Sequence, residues 1–310
     1  MKKILLFMCI LCTMSSCGSD DPVIDDPINP EQPTEPDKPD IKTKQIKSMT
    51  VYYPSDNHFI KQTLTYDKKK RISQIETEIS GGQEDDMITN FIYGENQIIN
   101  ETKTICRHSN PSYYNCDNAG NLYSYTQEMS LNEQGFVSKV GYIEKGITEG
   151  YETSPDFYLF QYADNYLKCF EESSTRYIKY TYFNDNLTTF LKYGKDHGVE
   201  REDVTYISYS KYKNKLGISP MLLTEDYRSI WIGVNEDYYT FGSFFGYYSG
   251  FYGKHSKHLE ENIDNGSLIF EYEFDKDGYP VKIISKDFDE NGQYDKDSDD
   301  SFLVDIVYQE

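Results

Sequence analysis

The ten residues Phe274-Asp275-Lys276-Asp277-Gly278-Tyr279-Pro280-Val281-Lys282-Ile283 form one legible unit. Upstream, Leu268, Phe270, Tyr272 and Phe274 alternate with Ile269, Glu271, Glu273 and Asp275, which is the period of a half-buried strand. Asp275 and Gly278 suit a tight turn, because Asp hydrogen-bonds its own backbone and Gly tolerates positive φ. Past the turn, Val281 and Ile283 alternate with Lys282. The unit is a β-hairpin.

It recurs. Tyr66-Asp67-Lys68-Lys69-Lys70-Arg71-Ile72-Ser73-Gln74-Ile75 and Leu131-Asn132-Glu133-Gln134-Gly135-Phe136-Val137-Ser138-Lys139-Val140 align with it without gaps. Shorter copies begin at Tyr93 (Gly94-Glu95-Asn96-Gln97-Ile98), Tyr162 (Ala163-Asp164-Asn165-Tyr166-Leu167) and Phe183 (Asn184-Asp185-Asn186-Leu187), and a weaker seventh runs Tyr212-Lys213-Asn214-Lys215-Leu216. Seven hairpins predict about a dozen antiparallel strands in meander order. A sheet that long must curl, split or close to hide its edges. The expected fold is all-β: a large antiparallel meander curled into an open or closed barrel-like sheet, one domain over residues 45–310. Residues 218–262 are read as an irregular or short helical insert. The thirty tyrosines fit strands, with the ring buried and the hydroxyl left in water.

These hairpins, with the block Gly250-Phe251-Tyr252-Gly253-Lys254-His255-Ser256-Lys257-His258-Leu259 before the last of them, resemble the repeats of a Bacteroidetes family described as having a porin-like fold. More distantly they are similar to the tyrosine-aspartate repeats of Rhs and teneurin shells. The resemblance covers most of residues 45–310 and implies a fold, with no established activity attached. Glu271 and Glu273 interrupt any lipid-facing belt, which argues against a membrane-spanning porin.

The first residues carry an address. Lys2 and Lys3 precede an apolar run, Ile4 to Met14, too short for a permanent span and followed by small residues, so residues 1–16 read as a signal peptide. Met14-Ser15-Ser16-Cys17 resembles the lipobox of bacterial lipoproteins, which implies lipidation of Cys17 and cleavage before it. Gly18-Ser19-Asp20-Asp21 is similar to the acidic surface-export signals of Bacteroidetes lipoproteins, implying an outer-membrane anchor facing the medium. Residues 17–44 hold six of the eleven prolines amid polar residues. Such a segment buries too little apolar surface to offset its ordering entropy, so it is expected to be a disordered stalk reaching up to about 70 Å.

The net charge is −21. An anionic body repels nucleic acid and anionic lipid heads, so neither is an expected partner beyond the anchor itself. Of six cysteines, Cys106 and Cys116 flank a polar loop that a disulfide could close, with a pair of free thiols as the even alternative. Cys169, in an alternating run, reads as a small apolar residue. Asp287, Asp289, Asn291 and Asp295 match the first nine positions of a calcium loop, with Gly292 at the sharp turn, although Ser298 stands where a bidentate glutamate belongs; calcium is the one cofactor indicated. His255 and His258 offer a zinc pair that lacks a third ligand. The aromatics Trp231, Tyr238, Tyr239, Tyr247 and Tyr248 suit either sugar stacking or a core segment plugging the curled sheet.

No phosphate loop, nucleophile elbow or dinucleotide fingerprint appears. Two readings follow: a non-catalytic surface lipoprotein that captures glycans or peptides or scaffolds an outer-membrane complex, and a hydrolase with carboxylates in a cleft of the sheet. An open groove favours a ligand; a packed one favours a scaffold.

Overall fold

The computed structural model describes residues 44–309 apart from 56–57, 81–85, 106–121, 145–157, 174–175, 197–198 and 225–241. The strands are β1 (Ile46–Tyr53), β2 (His58–Tyr66), β3 (Ile72–Ser80), β4 (Asp86–Tyr93), β5 (Gln97–Ile105), β6 (Leu122–Leu131), β7 (Val137–Glu144) and β8 (Tyr158–Ala163). They continue as β9 (Tyr166–Ser173), β10 (Arg176–Phe183), β11 (Asn186–Asp196), β12 (Val199–Lys213), β13 (His258–Ile263), β14 (Leu268–Phe274), β15 (Pro280–Asp287) and β16 (Leu303–Tyr308). Each pairs antiparallel with the next, and β1 pairs with β16, closing a barrel.

Six predicted hairpins are present and supply twelve strands. The seventh is corrected. At Lys213 the chain leaves the wall, and Asn214 turns it inward by donating to the Ile218 carbonyl and accepting from the Ile218 amide. The wall resumes at His258, which pairs with Lys213.

Local chemistry explains the turns. Asp67, Asn132 and Asp275 each use one side-chain oxygen to accept the amides two and four residues ahead, at 2.8–3.0 Å. The fourth residue of each turn takes positive φ: Lys70, Gly135 and Gly278. Asp164-Asn165 and Asn184-Asp185 have positive φ at both residues, the twist-matching geometry of two-residue hairpins.

All these turns lie at one end of the barrel, where the chain also enters and leaves: Gln309 donates to the Gln45 carbonyl at 2.9 Å. This is the turn end. The other connections join strands at the opposite, loop end.

Wall residues alternate as the pattern predicts. Ile60, Leu64, Ile75, Ile98, Leu167, Phe190, Phe270, Ile283 and Val304 face inward and are buried. Outward positions carry directly opposed charges: Lys61 and Glu78, Glu273 and Lys282, Lys195 and Glu200. The polarity is therefore mainly apolar within and charged without, the reverse of a lipid-embedded porin.

The tyrosines depart from expectation. Tyr66, Tyr93, Tyr162 and Tyr308, at the turn-end tips of β2, β4, β8 and β16, turn their hydroxyls toward protein rather than water. Each donates to the carbonyl of the first residue of the preceding strand: Ile46, Ile72, Val137 and Pro280. Burial raises all four phenol pKa values above the ordinary range. The repeat is a clasp that ties neighbouring strands together.

Candidate functional site

Sixteen strands enclose a bore wider than their own side chains fill. Residues 214–224 and 242–257 occupy it. The described parts comprise a 3-10 turn, Pro220–Leu223, and a short helix, α1 (Gly242–Tyr248), followed by a loop. Ile218, Met221, Leu222, Phe244, Phe245 and Tyr252 of this insert are buried in the same core as the wall.

Its contacts run around the circumference. Tyr248 accepts from the Ile46 amide of β1, and the Phe251 carbonyl accepts from the Val137 amide of β7. Tyr252 stacks on Phe160 of β8 at 5.5 Å, and Ser256 bonds the Leu187 amide of β11 and the Tyr209 hydroxyl of β12. Gly253 pairs with Tyr166 of β9; its φ is +86° and a Cβ there would sit 2.5 Å from the Asn165 carbonyl oxygen. No side chain fits. The bore is stopped at the turn end by the chain itself.

The stopper is fastened by a carboxylate. Glu260 of β13 is 3% exposed and accepts from the Ser219 hydroxyl at 2.5 Å and the Met221 amide at 3.0 Å. Burial pushes its pKa up to about 7, against the lowering effect of those two bonds. Tyr209, Tyr247 and Tyr272 also feel its charge, and each has its phenol pKa raised, chiefly by burial. No local sequence pattern singles out Glu260.

Part of the inner wall is polar. Gln62 is fully buried with both amide atoms unpartnered; Asn100 donates to Gln127 at 3.2 Å, leaving the Asn100 oxygen and the Gln127 nitrogen unpartnered. Thr77 lies opposite Gln62, and Thr89 bonds Thr102 at 3.0 Å. A cavity of about 10 Å³ beside Asn100, bounded by Phe245 and Phe251 of the insert, admits no more than one water. The strand period could have found this wall, since Gln62 is in phase with Ile60 and Leu64, and Asn100 with Ile98.

The sites expected from sequence fare as follows. Tyr247 and Tyr248, read as either sugar-stacking or core aromatics, are each 3% exposed and belong to the stopper. The Tyr247 hydroxyl accepts the Ser256 amide. Trp231, Tyr238, Tyr239, Cys17, Cys106 and Cys116 lie outside the described residues. His255 meets the Tyr247 carbonyl and His258 meets Asn186, so the two imidazoles serve different partners. Cys169 is half-buried, and its thiol pKa is raised mainly by burial.

The acidic loop is a further copy of the turn. Asp289 accepts the amides of Asn291 and Gln293 through one oxygen, and Gly292 takes positive φ, as in the Asp67 and Asp275 turns. Asp287 holds the Ser298 hydroxyl and Asp295 the Asp297 amide. Among the described residues no three acidic, histidine or cysteine side chains converge on a metal position. The calcium-like spacing coincides with this turn geometry.

No protein-family model matches the chain, and no curated protein matches it. Among solved structures, a porin-like protein from Bacteroides uniformis superposes with a TM-score of 0.56, covering 85% of this chain and 98% of that one at 13% identity. The fold is porin-like. A porin-like protein from Bacteroides vulgatus covers the same shares at 12% identity, with a TM-score of 0.40 that adds nothing to that assignment. At these identities the likeness concerns the porin-like barrel alone.

Proposed function

We propose that this chain is a surface-exposed outer-membrane lipoprotein, anchored through Cys17, that works by non-catalytic binding or scaffolding. The observation that carries the reading is the stoppered bore. A barrel closed by its own insert at the end where the stalk arrives is a rigid platform whose free face is the loop end. That is where glycan or peptide capture belongs, and Tyr294, 49% exposed and 6.0 Å from Phe288, stands in the loop joining β15 to β16. Aromatic faces beside acidic and amide groups suit neutral or cationic ligands.

A hydrolase in a cleft gains no support. Glu260, the one acidic side chain buried among the described residues, is occupied by Ser219 and Met221 rather than by a second carboxylate at reacting distance. A glycan array and a cross-linked pull-down on the full chain test the proposal. A ligand or partner lost on Tyr294→Ala supports it; blank results in both assays sink it.

A further inference from the structure

The net charge of −21 conceals an uneven distribution. At the turn end, the β2–β3 turn presents Lys68, Lys69 and Lys70, the β14–β15 turn presents Lys276, and the two mouths of the insert present Lys213 and Lys257, all exposed. These turns are neighbours around the barrel, with the β1–β16 seam between the first two. Bonds join them: Gln45 to the Lys70 carbonyl, Lys44 to Asp275 and Asp277, Lys215 to the Asp277 carbonyl. The main acidic groups of this arc are already matched, Asp67 by Arg71 at 2.6 Å and Asp275 and Asp277 by Lys44 at 2.6 and 2.7 Å. Elsewhere at the turn end Glu95, Glu133, Asp164 and Asp185 are exposed, so the basic face is the arc rather than the whole end; at the opposite end Asp289, Glu290, Asp295, Asp297 and Asp299 are exposed, with Lys296 bonded to Asp297 at 2.9 Å.

We infer that the lysine arc at the turn end is a docking face for the anionic headgroup surface of the membrane in which the chain is anchored. The inference rests on the lipoprotein reading for which membrane that is; the charge pattern stands without it. The arc surrounds the point where residues 44–46 enter the barrel, so a tether leaves this end within reach of the bilayer. Clustered lysines near an anionic surface are attracted within a Debye length, about 10 Å in ordinary salt, while the acidic end is repelled. Attraction at one end and repulsion at the other orient the platform with its loops outward. Whole-chain charge alone argues against anionic lipid; the placement of the charges reverses that conclusion locally. Nucleic acid is disfavoured by the net charge of −21.

The test is amine footprinting of the full chain, produced with its lipid, on vesicles of phosphatidylcholine alone or mixed with phosphatidylglycerol. Acetylation of Lys68, Lys69, Lys70, Lys213, Lys257 and Lys276 should slow about fivefold on the mixed vesicles, matching about 1 kcal/mol per lysine near the surface. Raised salt should abolish the protection. Lys103 and Lys192, on the outer wall, should react alike on both vesicle types. Lys276→Glu with Lys213→Glu should relieve protection at the remaining base lysines. Chain that sediments with both vesicle types but reacts equally on both overturns the docking face and leaves the anchor intact. Sedimentation only with anionic vesicles, lost in salt, overturns the anchor and supports the face. No sedimentation with either overturns both, and equal protection by duplex DNA overturns the assignment to lipid.

Discussion

Tyr93 illustrates how a side chain can be assigned to a strand and its chemistry still missed. Its position before the turn follows from local alternation, but the direction of its hydroxyl depends on a closed barrel, which no local pattern encodes. The phenol bonds the Ile72 carbonyl at 2.7 Å, and the ring lies 3.9 Å beneath Arg71. Tyr93→Phe keeps the ring and removes the bond, so chemical denaturation should show a loss of about 1–2 kcal/mol. Tyr294→Phe, at an exposed phenol, should change nothing measurable. Gln62 makes the opposite case. Its buried amide has no partner, and such a group costs about 1–3 kcal/mol. Gln62→Met, close in shape and free of polar hydrogens, should therefore raise the denaturation midpoint. An unchanged or lowered midpoint would mean that the amide serves the fold in a way its contacts do not reveal.

Among elements, hairpins were readable in detail, whereas the insert was readable as an irregular or short helical segment but not in its packing, for the same physical reason. A hairpin is specified within about ten residues: Asp or Asn to accept two amides, a residue at positive φ, and alternation on either side. Asp67, Asn132, Asp275 and Asp289 all show it, and in the last the turn coincides with the opening of a calcium-loop pattern. The insert is specified by contacts with strands around the whole barrel, so Tyr247 and Tyr248 look identical in sequence whether they face a sugar or a core. Its latch should be visible in a pH titration. Glu260 releases its proton near 4.5 when unfolded and near 7 when folded. Between those values the folded state holds one more proton, so stability falls as pH rises through the window, by on the order of 3 kcal/mol. Asp67, Asp275 and Asp289 have lowered pKa values and act the other way, contributing stability that is lost as pH falls below the ordinary carboxylate range. Glu260→Gln should flatten the decline between about pH 5 and 7 while leaving the acid limb in place. A variant whose curve parallels the parent across that window would remove Glu260 as its cause.

At the scale of the whole molecule, closure is the property that sequence left open between two outcomes. Alternation and turns require a long curled sheet; whether its first and last strands meet depends on strand number and tilt, and β12, β13, β1 and β16 bear no hairpin signature of their own. Once β1 and β16 pair, sixteen strands define a bore, and the sign of each face decides what the barrel is. Ile284, Leu303, Tyr52 and Phe59 give the outer wall an apolar row across β15, β16, β1 and β2, but Lys282, Asp305 and Lys61 stand beside it. A charge at the mid-plane of a lipid-facing strand costs roughly 2–4 kcal/mol, so this wall is built for water. The porin-like fold should consequently come without a porin's activity. Full chain added to a planar bilayer should give no stepwise conductance, and neither should Glu260→Gln at any pH, since loosening the stopper leaves the outer wall charged. Discrete, salt-dependent current steps from the purified chain would show that the wall can enter lipid after all, and the stopper would then have to be understood as a gate.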